Sequence, residues 1–395
     1  MKEIVIGLVS VGILGSGLTS NQEEPTYNQT IAPLIREKCL PCHSRGTGYA
    51  PFDLSTYEGV KSRIELIRTQ VLARNMPPIW AHSDFGEFSE LKPFSDEEAV
   101  QFQKWIQLKM PKGNEHGKAN SELIVTEPRS IQHIDLGSEV KVKPEGLPYW
   151  SVMSKNLNPK GGEFDSFWLE PANRRVIRYA TVAIVPRELK VPTEITASMD
   201  LPAKYLVGVW APGYSTWKLP KGVSYQYGPN SKLIVQAHYR PTGKSESAAF
   251  RVSISTRKQA KTKVPNWITL EDKDVFIPSG KSKVVELTKS IDRDMSLISI
   301  LPEARFYAGQ IQLLYTSKEG KEQTVLNAVR WDPYWGGNYL FSKPVILAKG
   351  GTLTARFHYN NDKYCRINEG KKLKDIHAGP TASDEVCRMH LLVGP

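Results

Sequence analysis

A chain of 395 residues is too long for one ordinary hydrophobic core, so we expect two or three domains. With 40% hydrophobic and 24% charged residues and no low-complexity tract, the composition is that of a globular protein, and 29 Gly and 27 Pro favour many turns and a β-rich body. The formal charge of +11 is scattered rather than concentrated between aromatic residues, which argues against nucleic acid and fits an acidic redox partner or an anionic membrane surface.

The first twenty residues have the order of a secretory signal peptide. MKEIVIGLVSVGILGSGLTS places one Lys near the start, then a short apolar run, then small residues. The run from Ile4 to Leu14 is well short of the ~20 residues that a spanning helix needs, and no later segment suggests a membrane span. We therefore predict a signal peptide over residues 1–20 and a protein that is periplasmic or secreted, with an uncleaved anchor or a plain N-terminal strand as the alternatives.

The motif CLPCH, residues 39–43, is the attachment pattern of c-type haem. Two thiols, Cys39 and Cys42, can add to the haem vinyl groups, and the adjacent His43 can then reach the iron from the same turn. A lone C-x-x-C could also be a redox dithiol or half of a zinc site, but the chain has no second C-x-x-C, and the following His fits haem. We predict one covalent haem c, with His43 as an iron ligand.

Two amphipathic helices are predicted around this motif. TYNQTIAPLIREKC has a helical spacing of apolar residues and delivers the cysteines at its C-terminal end. In FSDEEAVQFQKWI, Ser95 and Glu98 have the spacing of a capping box, and Ala99, Phe102 and Ile106 share one face. We therefore predict a small all-α cytochrome c domain over residues 21–113.

Three residues could supply the second axial ligand of the iron: Met76, His82 and Met110. Met76 precedes two prolines in ARNMPPIWA, and these stiffen an extended loop that could hold the thioether at a fixed distance. Met110 falls at the end of the second helix, where Met more often fills a core or a surface. We predict Met76 as the ligand, with His82 next, because a Met/His pair raises the reduction potential and suits electron transfer.

A family resemblance covers about residues 27–113. It is carried by the segments IREKCLPCHSRG, APFDLSTYEGV, RNMPPIWA and FSDEEAVQFQKWIQLKMPKG. Together they resemble the small cytochrome c domain found ahead of other domains in many bacterial exported proteins. The resemblance implies haem attachment to Cys39 and Cys42 and axial ligation by His43 and Met76.

The rest of the chain is predicted to be β-sheet. Residues 114–145 have little apolar periodicity and are predicted to be a linker that turns into a first strand. Beyond them, short strand patterns such as RRVIRYATVAIV, SKLIVQAHYR and GTLTARFHYN alternate with turn signals, and helical periodicity is nearly absent. This spacing predicts two antiparallel β-sandwiches, over residues 146–262 and 263–395.

Cys365 and Cys387 lie near the C-terminus, far from the first pair of cysteines. In an exported protein such a pair is expected to form a disulfide, which would stabilise the fold by ~3 kcal/mol on the chain-entropy estimate. Two buried free thiols are the alternative.

A second resemblance covers about residues 145–393. Six segments occur in the order seen in copper type II, ascorbate-dependent monooxygenases, the family of the peptidylglycine and dopamine hydroxylases: EPANRRVIRYATVAIVP, VWAPGYSTWKLPKG, SKLIVQAHYRPTGK, LPEARFYAG, VRWDPYWGGNYLFSKPVILAKGGTLTARFHYNN and GPTASDEVC. The resemblance implies two jelly-roll sandwiches that each present one copper to the gap between them. The Cys365 and Cys387 pair also matches a disulfide of this family.

The ligands that the resemblance implies for the first copper are mostly replaced. That copper takes an adjacent His pair and a third His inside a His-Tyr motif. Arg178 and Tyr179 stand at the pair, and only His238 remains. One imidazole cannot hold a catalytic copper, so we predict that His238 is a packed or hydrogen-bonded remnant.

The second copper takes His-x-His after a proline and a Met just before the second cysteine of the disulfide. This chain has PEAR at residues 302–305 and Val386 at the Met position. Arg, Ala and Val offer no donor to copper, so we expect neither copper nor a catalytic residue of that chemistry. Arg178, Glu303 and Arg305 could instead form a salt-bridged plug, if the two copper positions approach each other.

The histidines of the last sandwich, His358, His377 and His390, show no tight cluster in the sequence, so no new metal site is predicted there. The leading hypothesis is an exported c-type cytochrome that transfers single electrons, whose monooxygenase-like body docks a redox partner or binds a small ligand in its cleft. One alternative is an active copper-dependent monooxygenase, an oxidoreductase that hydroxylates an organic substrate with electrons supplied through the haem. Another is a binding protein in which haem acts as a sensor.

Overall fold

The computed structural model describes residues 24–44, 50, 52–78, 81–89, 93–114, 129–137, 139–146, 149–191, 194–195, 201–212, 217–257, 261–333, 337–381 and 383–394. Strand accounts for 44% and helix for 15% of the structure. The predicted signal peptide, residues 1–20, lies outside the described residues, as does much of the predicted linker. None of the described helices is long and apolar enough to cross a membrane.

The helical segment, residues 24–114, contains the first elements of the fold. After a π-helical turn at Tyr27–Ile31, its helices are α1 (Ala32–Lys38), α2 (Tyr57–Lys61), α3 (Ile64–Leu72) and α4 (Asp96–Gln107). The predicted capping box is present at α4, where the Ser95 hydroxyl accepts from the Glu98 N–H and the Glu98 carboxylate accepts from the Ser95 N–H at 2.7 Å. The segment packs around Ile31, Phe102 and Trp105, which are almost fully buried.

The predicted fold class, with a separate all-α cytochrome c domain, is wrong. The four helices are only 5 to 12 residues long, and the same segment forms strand β1 (Ala81–His82). This strand pairs with Ala328 and Asn327 in a sheet of the C-terminal half, and Phe88 forms a bridge to Phe341. Helical periodicity could not reveal this pairing, because the two partners are far apart in the sequence.

The N-terminal sandwich is built from antiparallel sheets. Its strands are β2 (Arg129–Asp135), β3 (Val140–Val142), β4 (Tyr149–Asn156), β5 (Gly162–Phe164), β6 (Ser166–Pro171), β7 (Ile177–Val185), β8 (Glu194–Ile195), β9 (Leu206–Trp210), β10 (Trp217–Lys218), β11 (Tyr225–Tyr227), β12 (Lys232–Tyr239), β13 (Glu246–Ala248) and β14 (Phe250–Arg257). One sheet has the order β10–β6–β14–β2 and the other β8–β4–β12–β7–β9, with the short ladders β11–β5 and β13–β3 beside them. Strands β2 and β3 lie within the region predicted to be a linker.

The C-terminal sandwich is also antiparallel. Its strands are β15 (Asn266–Asp272), β16 (Phe276–Ile277), β17 (Ser282–Ser290), β18 (Met295–Glu303), β19 (Ala308–Thr316), β20 (Glu322–Ala328), β21 (Tyr339–Leu347), β22 (Thr352–Asn360), β23 (Ile376–His377) and β24 (Cys387–Gly394). The sheets have the orders β1–β20–β19–β22–β17 and β15–β24–β18–β21, with the ladder β16–β23 beside them. Short 3₁₀ helices lie at Arg174–Val176, Ala203–Tyr205 and Arg366–Asn368.

Strand β18 contributes side chains to both hydrophobic cores. Leu297 and Ile300 pack inside the C-terminal sandwich, whereas Ile298 and Leu301 pack with the core of the N-terminal sandwich. A register shift between Leu297 and Ser299 interrupts the simple alternation of side chains along this strand, so neighbours on both sides of the shift contribute to both cores. A strand that is buried on both faces needs a nearly continuous apolar run, here LISIL. The sheet that contains β18 therefore lies between the two cores, and the end of this strand reaches the cleft between the sandwiches.

Candidate functional site

The CLPCH motif forms a tight turn at the end of α1. The N–H groups of Cys42 and His43 both donate to the Cys39 carbonyl, at 3.1 and 2.7 Å. Burial raises the pKa of Cys39 to about 12 and that of Cys42 to about 11. Both thiols are therefore protonated at neutral pH, whereas a redox dithiol needs a thiolate of lowered pKa.

His43 lies next to these thiols with its ring against Phe52, at 4.7 Å between ring centroids. Its Nδ1 is buried and has no hydrogen-bond partner. Burial lowers the pKa of His43, so the imidazole is neutral and can offer a nitrogen lone pair to a metal. The turn thus brings the three residues of the motif close together, and the neutral imidazole fits an iron ligand.

The three candidates for the second axial ligand have different surroundings. Met76 follows α3 and is 37% exposed. Met110 packs against the core of the helical segment, as expected for a filler. His82 lies on β1 with its Nε2 2.9 Å from Asp84 Oδ1, so this ring nitrogen already has a hydrogen-bond partner. Ligation by Met76 stays a prediction.

The loop that carries Met76 is attached to the C-terminal sandwich by Arg330. Its Nη1 donates to the Ala73 carbonyl at 3.2 Å and to Asn75 Oδ1 at 2.8 Å. The next residue, Trp331, lines the cleft between the sandwiches and donates from Nε1 to the Ala304 carbonyl at 3.0 Å. A short stretch of chain therefore connects the predicted haem ligand to the cleft.

The cleft contains a cavity of about 330 Å³ between the two sandwiches. One wall is a row of rings on three adjacent strands, where His238 of β12 is paired with Trp150 of β4 and Tyr179 of β7. The ring centroids of Trp150 and Tyr179 lie 4.6 and 5.0 Å from that of His238. His238 is thus packed, as predicted for a remnant, and is only 4% exposed.

The imidazole of His238 has no hydrogen-bond partner at either ring nitrogen. Burial, and then the charges of Arg305 and Arg178, lower its pKa to about 3. The ring is therefore neutral at neutral pH and lies in a positive potential. It is packed but not hydrogen-bonded, so only one of the two roles predicted for it is observed.

The opposite wall of the cleft carries Glu303 and Arg305. The Arg305 guanidinium lies over the Trp150 ring, 5.4 Å from its centroid, and donates to the carbonyls of Thr381 and Asp384. Its positive charge contributes to lowering the pKa of both His238 and Glu303. The two positions at which the resemblance implies separate coppers therefore meet in one cleft.

Glu303 forms an ion pair in this wall with Arg388 at 3.3 Å, and its Oε2 lies 3.8 Å from Nε2 of His390. Burial raises the pKa of Glu303, but the interactions with His390, Arg388 and Arg305 outweigh burial and hold the pKa at about 2. The ion pair seen at Glu303 thus differs from the predicted plug.

Sequence reasoning missed Trp150, Glu385, Arg388 and His390 as cleft residues. Glu385 accepts from the backbone N–H groups of Arg305, Val386 and Tyr307, and burial raises its pKa to about 7. The sequence predicts no cluster around His390, whose Nδ1 lies 2.8 Å from Thr269 Oγ1 beside the cavity. No local pattern identifies these residues, because strand register and sheet packing bring them together.

The remaining predicted residues lie outside the cleft or await a test. His358 is half-buried, with Nε2 3.0 Å from Gln312 Oε1, and the ring of His377 packs at a tilt against that of Phe276. The thiols of Cys365 and Cys387 are free in the structure, so their disulfide stays a prediction. Among the described residues, no group of three or more His, Cys, Asp or Glu side chains could hold a metal ion.

No family model matches this chain, and no curated protein matches it. Among solved structures, it is similar to the major capsid protein P2 of bacteriophage PM2, with 9% identity and a TM-score of 0.30 over 67% of this chain and 98% of that one. It is also similar to the PBCV-1 virus capsid, with 4% identity and a TM-score of 0.24 over 67% and 93% of the two chains. A third similar structure is a β-porphyranase of glycoside hydrolase family 86 from the human gut bacterium Bacteroides plebeius, with 11% identity and a TM-score of 0.16 over 62% and 34%. TM-scores this low carry no argument about the fold or function of this chain.

Proposed function

We propose that this chain is an exported c-type haem protein that transfers single electrons. The observation that supports the proposal is the turn after α1, where Cys39, Cys42 and His43 lie together. The buried, unpartnered Nδ1 of His43 and the two protonated thiols fit covalent haem attachment better than a redox dithiol or a zinc site. When bound, haem supplies a one-electron couple.

Each residue of the motif has a separate role in this proposal. Cys39 and Cys42 would hold the haem through thioethers, formed when each S–H adds across a vinyl group without an oxidant. His43 would ligate the iron, and its neutral ring needs no deprotonation to do so. Met76 would ligate the iron as well, and its exposure means that no core packing has to be broken for it to move. A thioether ligand raises the reduction potential.

The sandwiches would then serve as the body that fixes the haem and meets the redox partner. The pairing of β1 and the hydrogen bonds of Arg330 attach the helical segment to the C-terminal sandwich. The net charge of +11 favours an acidic partner, for which association slows as the salt concentration rises.

The test is haem and metal analysis of the protein exported from cells that attach haem to C-x-x-C-H motifs. We expect one covalent haem iron per chain and a reversible one-electron couple. Cys39→Ser combined with Cys42→Ser is expected to abolish covalent attachment, whereas Cys365→Ser serves as the control that leaves it intact. Exported protein without covalent haem would contradict the proposal.

The axial ligand is tested by comparing Met76→Ala with Met110→Ala. If Met76 ligates the iron, its replacement removes the thioether-to-iron absorption band and lowers the reduction potential, while the Met110 variant keeps both. If the Met110 variant loses the band and the Met76 variant keeps it, Met110 is the axial ligand.

Copper in the same sample tests the alternative of a copper-dependent monooxygenase. Two coppers per chain and a copper-dependent hydroxylated product would favour that activity over simple electron transfer. The residues themselves argue against that activity, since Arg178, Tyr179, Glu303 and Arg305 stand at positions at which the family resemblance implies histidine ligands of copper.

A further inference from the structure

His238 is a buried polar group that a haem function leaves unexplained. Its ring lines the cavity between the sandwiches, is only 4% exposed, and hydrogen-bonds through neither nitrogen. The large majority of buried polar side-chain atoms in proteins have a partner. Two unpaired nitrogens on one buried ring that faces a cavity therefore point to a ligand.

The charges around His238 favour an anion as that ligand. The ring is neutral, and the nearby positive charges of Arg305 and Arg178 disfavour its protonation. Acidic side chains of the same cavity have partners of their own, since Glu271 and Glu303 are ion-paired with Arg388 and Glu385 accepts from three backbone N–H groups. A cation beside His238 would meet two guanidinium charges, whereas an anion can accept from the imidazole N–H and be attracted by the Arg305 guanidinium.

The remaining walls favour a flat, apolar body on this anion. Trp150 and Tyr179 flank His238, and Leu301 and Trp331 also line the cavity. A volume of about 330 Å³ lies at the small end of the range for ligand sites, ~300–1,000 Å³. A single aromatic ring with one charged group suits this space.

We propose that the cleft binds a small planar carboxylate, with its charged group at His238 and Arg305 and its ring against Trp150 and Tyr179. The family resemblance implies a copper at His238, so the site would have changed from binding a cation to binding an anion. The inference goes beyond the proposed function, which assigns no ligand to the cleft, and it requires no haem.

The probe for this site is benzoate, measured by isothermal titration calorimetry against the full exported chain. Benzamide has the same shape without the charge, and benzylamine is cationic at neutral pH. We expect saturable binding of benzoate, at least ~10-fold weaker binding of benzamide, and no binding of benzylamine. Failure of benzoate to saturate at millimolar concentrations, or equal affinity for benzamide, would overturn the proposal.

Variants locate the site in the cleft. His238→Phe keeps a ring between its neighbours and removes the nitrogens, so benzoate affinity is expected to fall at least ~10-fold. The control is His358→Phe, on β22, whose ring bonds to Gln312 outside the cavity and whose loss should leave the affinity unchanged. Unchanged binding by the His238 variant would place the anion elsewhere and overturn the proposal.

The double variant Cys39→Ser and Cys42→Ser separates this proposal from the haem function. We expect it to bind benzoate with wild-type affinity, since neither cysteine lines the cavity. Loss of benzoate binding in that variant would assign the anion to the haem and overturn the cleft site. Absence of haem in the wild-type protein, together with normal benzoate binding, would overturn only the haem function.

Discussion

Replacing His238 by Phe is expected to make the protein more stable. The substitution keeps a planar ring between Trp150 and Tyr179 and removes two buried nitrogens that have no partner. Each unpaired buried polar atom costs ~1 kcal/mol or more, so we expect the free energy of unfolding to rise by about 2 kcal/mol at pH 7. The adjoining cavity gives room for the slightly larger ring.

The stability advantage of the variant is expected to increase in acid because folding lowers the pKa of His238 in the wild-type protein. Burial and the charges of Arg305 and Arg178 lower its pKa from 6.5 to about 3. Below pH 6.5 the unfolded chain binds a proton that the folded protein does not, so the wild-type protein loses stability as the pH falls from 6.5 towards 3. At pH 5 this loss is about 2 kcal/mol, so the advantage of the variant doubles to about 4 kcal/mol.

Urea unfolding of both proteins at pH 7 and pH 5, followed by tryptophan fluorescence, measures this difference. Comparing the two proteins cancels groups that titrate in both, such as Glu385, whose pKa burial raises to about 7 and whose contribution is lost as the pH rises. A variant less stable than the wild type at pH 7 would show that the nitrogens of His238 have partners in solution. Equal gains at the two pH values would show that folding does not lower its pKa.

Three further substitutions test other contacts. Ser95→Ala removes the N-cap of α4 and is expected to lower the free energy of unfolding in urea by ~1 kcal/mol; no measurable change would contradict the capping role. Arg330→Ala removes two hydrogen bonds to the loop after α3, so amide hydrogen exchange at residues 73–76 is expected to accelerate about 5-fold. Unchanged exchange rates would mean that other contacts hold the loop. Glu303→Gln is expected to destabilise the protein by ~1 kcal/mol at pH 7 because Arg388 loses an ion-pair partner. The effect is expected to be smaller in acid, since the stabilisation by the carboxylate is present above pH 4.5 and is lost as the pH falls through the pKa of about 2. A difference in the free energy of unfolding that does not shrink in acid would refute this assignment.

The features that could be predicted from the sequence depend on residues close together in the chain. The capping box of Ser95 and Glu98 needs only a spacing of three residues, and it is present. The helix that delivers Cys39 follows from the apolar spacing before it. The packed state of His238 is predicted from the replacement of the adjacent His pair by Arg178 and Tyr179, and β12 is buried along nearly its whole length.

What could not be predicted depends on contacts between distant segments. The all-α domain is wrong because β1 pairs with β20, and nothing in the residues around Ala81 identifies that partner. The cleft likewise combines Trp150, His238 and Arg305, which three separate strands or strand ends bring together. The sequence spacing of His390 suggests isolation, whereas the ladder between β24 and β18 places it beside the cleft wall.

Strand β1 also changes how the C-terminal sandwich meets other protein chains. Its two residues pair with Ala328 and Asn327 on the outer side of β20, which would otherwise be the edge strand of a four-stranded sheet and leave these backbone groups unpaired. At the opposite edge, β17 carries the charged residues Lys283, Glu286 and Lys289, which disfavour pairing with another chain. The helical segment thus also protects the sandwich against aggregation through its sheet edge, and a sandwich separated from it would expose a strand ready to pair with a second copy.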